Sequence, residues 1–376
     1  MTNIRKLGEL IEWVDTRNKG VISTNLLGIN IEKFFMPSVA NIIGTDLSSY
    51  KLISKNQFAC NPMHVGRDEK MPIALYLNEE PSIVSPAYFA FQPKDLSVVN
   101  PEYLMLWFRR AEFDRECWFH TDGSVRGGIT WDEILDMSVP VPSIEEQNKI
   151  VSSYNDIEKR IKLKKQINDN LETQARTLFK QLQADLPITI PLEEFVNYQE
   201  GPGIRNWQFV EEGIPFVNIR CLINNDIDTT ICNKISHQEA STTYKHFMLN
   251  VGDIIMSISG TLGKIAIIRE EHLPLCLNTS IMRFTPKIQK EDYSYLLYYL
   301  SSNEFANCLL SQATGSAQLN FGPTHIKRLT VNLPSEEQRT RFNHLVMPLI
   351  NAQNINKREI KLLEQLRANC LAILSR

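Results

Sequence analysis

An internal repeat constrains this chain more than any other feature, because residues of its first part recur 192 positions later. Ser143 follows a short apolar run and a proline, and Ser335 does the same. At this offset further matches are Ile134 with Ile326, Gly123-Ser124 with Gly315-Ser316, Glu112-Phe113 with Glu304-Phe305, and Tyr103-Leu104 with Tyr295-Leu296. With one residue of slippage, Phe91-Gln92-Pro93-Lys94 matches Phe284-Thr285-Pro286-Lys287. Matches in order at nearly one offset predict two copies of one structural plan.

Each copy is predicted to consist of a lobe followed by a long helix. In the lobes, short strand-like runs such as Asp253-Ile254-Ile255-Met256-Ser257-Ile258 alternate with Gly, Asn and Pro turns. One helical stretch closes each lobe, at residues 102–118 and 292–310. The fold class is therefore α+β, with two pseudo-repeated globular domains. We predict a first domain at 1–142, a central helix at 143–186, a second domain at 187–334 and a C-terminal helix at 335–376.

The two helical segments have matching patterns that predict an antiparallel coiled coil. Ser143 and Ser335 are expected to be N-caps, each followed by glutamates where the helix dipole favours negative charge. Both heptad seams are apolar at their ends and polar in the middle; the polar positions are Lys164, Asn168, Gln353 and Asn356. Antiparallel pairing would bring the polar centres together, where a buried polar layer fixes the register. Pro348 is expected to kink or delay the second helix.

Composition indicates an ordinary globular protein. Hydrophobic residues make up 43% and charged residues 22%, and the net charge of −3 is not the basic footprint of most nucleic-acid-binding proteins. There is no apolar run long enough for a membrane span, and the first residues lack the apolar core of a signal peptide. The seven cysteines form no Cys-x-x-Cys pair. We therefore expect a cytoplasmic protein without a metal or disulfide framework.

Catalytic motifs are incomplete in this sequence. Gly260-Thr261-Leu262-Gly263-Lys264 has too short a spacing for a phosphate-binding loop, so a turn between two strands is favoured. Asp68-Glu69-Lys70 resembles part of a nuclease site, and Asn61-Pro62-Met63 resembles part of an amino-methyltransferase motif, but the companion residues are missing. We predict no catalytic residue, no metal and no cofactor for this chain.

The doubled arrangement resembles the specificity subunits of type I restriction–modification systems. The resemblance covers essentially the whole chain and is carried by Pro142-Ser143-Ile144-Glu145-Glu146-Gln147 and Pro334-Ser335-Glu336-Glu337-Gln338, each with the helix after it. Similar family motifs inside the lobes are Pro37-Ser38-Val39-Ala40-Asn41, Phe58-Ala59-Cys60-Asn61-Pro62-Met63, Gly252-Asp253-Ile254 and Ser259-Gly260-Thr261-Leu262-Gly263-Lys264.

The resemblance implies a DNA-binding function without catalysis. Each lobe would be a target recognition domain that reads one half of a bipartite site in double-stranded DNA, and the coiled coil would set the spacer between the halves. Two modification subunits would dock on the helices, bind S-adenosylmethionine and methylate adenines. A translocating nuclease subunit would join them in a restriction complex.

DNA-contact candidates are loop residues able to hydrogen-bond base edges or phosphates. In the first lobe they are Arg17, Asn18, Lys19, Asn61, Arg67, Ser124 and Arg126. In the second they are Arg205, Asn206, Ser259, Thr261, Lys264, Ser316, Gln318 and Asn320. Trp131 and Trp207 are expected in the core instead. Two alternatives stay open: a coiled-coil scaffold whose two lobes bind protein, which fits the acidic charge, and a self-sufficient enzyme, which the incomplete motifs oppose.

Overall fold

The computed structural model describes residues 3–40, 44–121, 127–184, 186–313 and 319–374. The chain divides into two compact units, residues 1–163 with 359–376 and residues 164–358. Both divisions fall inside long helices, so each unit contains one lobe together with a part of each helix. None of the described helices combines the length and apolarity that a membrane span requires.

The first unit is built on two four-stranded sheets and a two-stranded ribbon. Its strands are β1 (Asn3–Lys6), β2 (Ile11–Trp13), β3 (Leu26–Ile29), β4 (Phe35–Pro37), β5 (Lys51–Ile53), β6 (Phe58–Cys60), β7 (Ile73–Leu75), β8 (Ser82–Val84), β9 (Phe89–Pro93) and β10 (Ser138–Val141). The sheet orders are β2-β9-β6-β7 and β4-β3-β8-β5, and β1 pairs with β10. All pairs are antiparallel except β3 with β8.

Short helices pack on the sheet β2-β9-β6-β7 of the first unit. They are α1 (Leu7–Leu10), α2 (Val65–Asp68), α3 (Pro101–Phe108), α4 (Ala111–Phe119) and α5 (Trp131–Asp136), followed by the long helix α6 (Ile144–Leu182). The core lies where Phe58 and Phe91 of the sheet pack against Trp107, Phe108 and Phe113 of α3 and α4. The cap of α3 is local, since Asn100 accepts hydrogen bonds from two backbone amides and Pro101 occupies the first turn.

The second unit has the same plan. Its strands are β11 (Ile188–Pro191), β12 (Val196–Glu200), β13 (Phe209–Val210), β14 (Ile214–Val217), β15 (Leu222–Ile223), β16 (Asp226–Ile227), β17 (Asn233–Ile235), β18 (Ile254–Ser257), β19 (Ile265–Ile267), β20 (Cys276–Leu277), β21 (Ile281–Pro286) and β22 (Thr330–Leu333). Its helices are α7 (Leu192–Phe195), α8 (His237–Ser241), α9 (Tyr293–Leu300), α10 (Asn303–Gln312), α11 (Pro323–Ile326) and α12 (Glu336–Ile373). The sheet orders are β12-β21-β18-β19 and β13-β17-β14-β20, with β11 paired to β22 and β15 to β16.

The two units share one four-stranded sheet of the same strand order and one parallel strand pair, whereas the edge strands of their second sheets differ. Strands β12, β21, β18 and β19 take the places of β2, β9, β6 and β7, and the single parallel pair recurs as β14 with β20. Tyr103 donates a 2.8 Å hydrogen bond from its hydroxyl to the carbonyl of Pro140, and Tyr295 donates one of 2.8 Å to that of Asn332. These positions correspond at the 192-residue offset, so the repeat and the α+β fold class predicted from sequence are confirmed.

Each lobe differs from the prediction in its helical stretch, which is two helices rather than one. In the second unit the break between α9 and α10 is explained by Ser302, whose hydroxyl accepts the amide hydrogen of Phe305 at 3.1 Å and starts a new helix. In the first unit the break falls before Ala111, where Arg110 stacks its guanidinium over Trp107 at 4.7 Å.

The long helices begin where the serine caps predicted. Ser143 and Glu146 form a reciprocal capping box, and Ser335 and Gln338 form another. The two Glu-Glu-Gln runs are therefore not equivalent in position, because the third helical residue is Glu146 in one and Gln338 in the other. The expectation for Pro348 is wrong in one respect, since α12 starts at Glu336 and continues through Pro348.

The helices pair in antiparallel fashion within each unit. In the first unit Glu158 of α6 bonds Arg367 of α12 at 2.8 Å, and Arg160 bonds Glu359 at 2.6 Å, so rising numbers on one helix meet falling numbers on the other. The heptad spacing also predicts apolar seam positions in the second helix, among them Phe342, Val346, Leu366 and Ile373. Phe342 and Val346 are buried, but Leu366 and Ile373 are exposed. The prediction of two long helices paired as an antiparallel coiled coil is confirmed.

Candidate nucleic-acid interface

Among the described candidates of the second unit, Ser259, Thr261, Lys264 and Asn320 lie at one edge of the sheet β12-β21-β18-β19. Because neighbouring strands are antiparallel, the ends of β12 and β18 lie beside the starts of β21 and β19. Backbone hydrogen bonds join the loops that leave this edge: Ile258 donates to Ser280 at 2.9 Å, Phe321 to Ile258 at 2.8 Å and Thr279 to Pro202 at 3.2 Å. We call this the second-unit sheet edge, formed by the loops 201–205, 258–264, 278–280 and 319–322.

The loop 258–264 is shaped by a buried serine. The hydroxyl of Ser257 donates to the carbonyl of Thr261 at 2.6 Å and accepts the amide hydrogen of Lys264 at 2.9 Å. Gly260 and Gly263 take left-handed backbone angles of φ 71° and 80°, which suit glycine and close the turn. The side chains of Thr261 and Lys264 are left on the surface. The predicted turn between two strands is confirmed, and it displays two of the candidate residues.

Three of the candidates in this unit make defined contacts. The hydroxyl of Ser259 donates to the side-chain oxygen of Asn320 at 2.7 Å, and the two residues form a β-bridge. The ammonium group of Lys264 lies 3.4 Å from the carbonyl of Leu222, at the start of the hairpin β15–β16. Ser259, Thr261, Lys264 and Asn320 are thus brought together, although 61 positions separate Ser259 from Asn320 in sequence.

The loop after β12 is held close to the same edge. A Cβ atom at Gly201 would lie 2.3 Å from the carbonyl oxygen of Asn278, so only glycine permits this approach. The chain then forms a short 3-10 helix at Asn206–Gln208, where Arg205 and Asn206 are exposed. Trp207 is 81% exposed, so its expected place in the core is wrong. The core position was predicted from the hydrophobicity of tryptophan alone, and nothing in the local sequence indicated that the indole faces solvent.

In the first unit, Asn61 and Arg67 lie at the corresponding edge, after β6. Asn61 caps a 3-10 helix by accepting the amide hydrogen of Met63 at 3.2 Å. Arg67 forms a two-pronged pair with Asp68 at 2.7 and 2.8 Å, and this hydrogen bond raises the pKa of its guanidinium. Gly128 closes against the carbonyl of Pro62, where an added Cβ would lie at 3.0 Å.

The candidates that follow β2 differ sharply from one another. Asn18 is fully buried, and its amide bonds the carbonyls of Ser23 and Leu47 at 2.8 and 3.1 Å while its oxygen accepts from the amide of Ser23. Asn18 is therefore a structural residue that holds its loop, and its assignment as a DNA contact is wrong. Arg17 bonds the carbonyl of Ser49 at 2.8 Å and pairs with Asp15, whereas Lys19 is exposed.

Four candidates, Ser124, Arg126, Ser316 and Gln318, lie outside the described residues. Trp131, expected in the core, is partly buried and packs beside Trp13 and Phe91.

The chemistry available at these edges is recognition by hydrogen bonding and charge. Hydroxyl, amide and cationic groups are present, and two of the cations, Arg17 and Arg67, are paired with the carboxylates of Asp15 and Asp68. A DNA phosphate would have to displace these carboxylates or share the two guanidinium groups with them. Among the described residues no three His, Cys, Asp or Glu side chains are grouped as a metal site would need.

The four polar residues of the coiled coil meet in the second unit. The ammonium of Lys164 donates to Asn356 at 2.9 Å, and the amide of Asn356 donates to the side-chain oxygen of Asn168 at 2.8 Å. Gln353 donates to the backbone carbonyl of Asn168 at 3.2 Å. Asn356 is almost fully buried. The structure brings the four together as a polar layer, and their role in fixing the register stays a prediction.

Comparison with known proteins identifies relatives of this chain. A family model described as type I restriction modification DNA specificity domain matches residues 3–173 and 189–365. The specificity subunit of the type I restriction enzyme MjaVIII of Methanocaldococcus jannaschii is 23% identical over 63% of this chain and 61% of that protein. The EcoBI specificity subunit of Escherichia coli is 25% identical over 39% of this chain and 31% of that protein. The matched regions therefore span less than two thirds of these relatives.

A solved structure has the same fold. The crystal structure of the S subunit of a type I restriction–modification system from M. genitalium aligns with a TM-score of 0.61 at 14% identity, covering 100% of this chain and 96% of that one.

Proposed function

This chain belongs to the family of type I restriction–modification DNA specificity domains, and from that premise we propose that it is the DNA-reading subunit of a type I restriction–modification complex. The observation that carries the proposal is the doubled plan. Two units that share the strand order of one four-stranded sheet each present loops at the same edge of that sheet. Each edge carries amide and cationic side chains, and the second-unit edge carries hydroxyl groups as well. Two such readers on one chain suit a bipartite target, one half for each unit.

The chemistry of the complex is proposed to reside on other subunits. Two modification subunits would bind S-adenosylmethionine and methylate adenines, and a translocating nuclease subunit would join them for restriction. This chain would supply no catalytic group and hold no cofactor, and it would act in the cytoplasm. We also retain, as a proposal, the division into recognition domains at 1–142 and 187–334 and helices at 143–186 and 335–376.

The coiled coil is proposed to set the length of the unread spacer. A helix of 39 residues, as in α6, is about 58 Å long at ~1.5 Å per residue, comparable to ~17 base pairs at ~3.4 Å each. Lys164, Asn168, Gln353 and Asn356 would keep the two helices in one register, because a shift would leave their polar atoms buried without partners. A fixed register would give a fixed spacer.

The test is a map of methylated adenines in cells that express this chain with its modification subunit. We expect methylation at one split sequence with a constant spacer, and none when either protein is expressed alone. Methylation by this chain alone would contradict the non-catalytic assignment. Assembly with the modification subunit but no shared sequence at the methylated sites would favour the alternative of a scaffold whose lobes bind protein.

A further inference from the structure

Trp207 is the most exposed of the five tryptophans, all of which lie within the described residues. A single apolar side chain exposed on a surface is common and by itself indicates no function. Here the segment is fixed on both sides. Ile204 and Phe209 pack against the small core that contains Phe216 and Tyr244. The backbone on either side of the indole is thus anchored in the protein, while the indole itself points away from it.

The turn that carries Trp207 is also fixed by hydrogen bonds. The side-chain oxygen of Gln208 accepts the amide hydrogen of Arg205 at 2.9 Å. The amide group of Gln208 donates to Glu239 at 2.8 Å and to the hydroxyl of Tyr244 at 2.9 Å. These bonds tie the 3-10 helix to α8 and to the segment after it. An aromatic side chain mounted in this way can contact a ligand with little further loss of conformational entropy.

The surroundings of Trp207 favour DNA as the ligand. Arg205 and Asn206, exposed in the same turn, can bond phosphates and base edges. The loop leaves β12 at the second-unit sheet edge, where Gly201 lies against Asn278 and the carbonyl of Pro202 accepts the amide of Thr279. A protein interface would be expected to surround an aromatic anchor with further apolar groups. The neighbours in this turn are instead cationic and amide side chains.

We propose that Trp207 is a DNA-contact residue of the second unit, whose indole packs against bases and deoxyribose of its half-site while Arg205 pairs with a phosphate. This inference rests on the proposed function. Apolar side chains that pack on or between bases act through surface burial and unstacking, and stacking does not depend on base sequence. Trp207 would therefore contribute mainly to affinity for the half-site read by the second unit, and Arg205 would contribute the salt-dependent part.

The experiment compares variants of the full chain in complex with its modification subunit. Binding to a DNA duplex with the mapped split site is measured across a series of salt concentrations. Trp207→Ala should weaken binding roughly 10- to 100-fold, the range that loss of one aromatic–base contact produces, with an unchanged salt slope. Trp207→Phe should recover part of the loss. Arg205→Gln should instead reduce the salt slope by ~1.

Trp118→Ala is the matched control, because Trp118 is 46% exposed and lies in the first unit; it should leave binding unchanged. Addition of target DNA should also quench less tryptophan fluorescence in Trp207→Phe than in the unsubstituted chain. Unchanged affinity of Trp207→Ala would overturn the inference. So would failure of Trp207→Ala to assemble with the modification subunit, which would assign the indole to a protein contact. If the unsubstituted complex selects no split site, the proposed function fails instead.

Discussion

Replacing Arg339 by glutamine should destabilise the second unit strongly, because it removes the partner of a buried carboxylate. Arg339 sits in the first turn of α12, and its Nε lies 2.6 Å from Oδ1 of Asp292 at the start of α9. Its Nη1 also donates to the carbonyl of Pro334 at 2.7 Å. Both charged side chains are almost completely buried, and among the described residues Oδ2 of Asp292 has no hydrogen-bond partner.

The expected loss is about 3–5 kcal/mol, the range found when one partner of a buried ion pair is removed. For a unit of this size, 1 kcal/mol corresponds to ~2–4 °C in Tm, so the shift should be roughly 6–20 °C. The exposed Arg341 of the same helix is the control. Arg341→Gln should change the free energy of unfolding by less than ~0.5 kcal/mol, as is usual for surface substitutions.

The first unit shows how the loss can be repaired. At the positions 192 residues earlier stand Gln147 and Asn100, and the side-chain oxygen of Gln147 accepts the amide hydrogen of Asn100 at 2.8 Å. The amide group of Gln147 donates to the carbonyls of Val98 and Pro142 at 3.0 and 2.9 Å. The double variant Asp292→Asn with Arg339→Gln places the same two neutral side chains at the corresponding positions of the second unit. It should recover all but about 1 kcal/mol, since a neutral replacement of a buried ion pair is often tolerated.

Urea and thermal unfolding of the full chain and its single and double variants measure these effects. A loss below 1 kcal/mol for Arg339→Gln would refute the reasoning, because Asp292 would then tolerate an unpaired charge. If the double variant were no more stable than Arg339→Gln, the Asn100–Gln147 contact of the first unit would not be equivalent to the Asp292–Arg339 contact of the second.

Two other predictions concern the hairpin of the second unit and the helices. Burial raises the pKa of Asp226, but hydrogen bonds from His272 and Arg269 outweigh it and hold the pKa well below its usual value. The resulting stabilisation is present above pH ~4, the pKa of Asp in the unfolded chain, and is lost as the pH falls below that value. Asp226→Asn should therefore make the free energy of unfolding fall less steeply in acid. An equally steep fall would exclude this carboxylate as the source of the acid sensitivity. Insertion of four residues after Leu163 together with four after Arg358 adds ~6 Å to both paired helices and should lengthen the unread spacer by one or two base pairs in a methylation map. An unaltered spacer in that active variant would mean that the helices do not set it. Insertion in α6 alone, which lengthens one helix of the pair and not the other, should reduce modification.

Sequence reasoning succeeded where local chemistry determines the structure. Serine caps, glutamates in the first turn and an uninterrupted heptad pattern located the starts of both long helices, because capping is decided within four residues of chain. The repeat predicted two lobes of one topology. The polar centres of the seams predicted the meeting of Asn168 and Asn356, since antiparallel pairing leaves only one alignment that joins them.

Sequence reasoning failed where the outcome depends on packing between distant segments. Asn18 has the composition of a loop contact, but the carbonyls of Ser23 and Leu47 enclose it. Trp207 has the hydrophobicity of a core residue, but anchors on either side of it occupy the core instead. The two Glu-Glu-Gln runs are identical in sequence but differ by one residue in their position along the helices. Because each helix begins at its serine cap, Gln147 and not Glu146 corresponds to Arg339.

The central claim is that the two units read separate halves of one target. Its most direct test replaces residues 188–330 with the second lobe of another family member and maps methylated adenines in cells that carry the hybrid and the modification subunit. One half-site should change while the other half-site is retained. A change in both half-sites, or in neither, would contradict it.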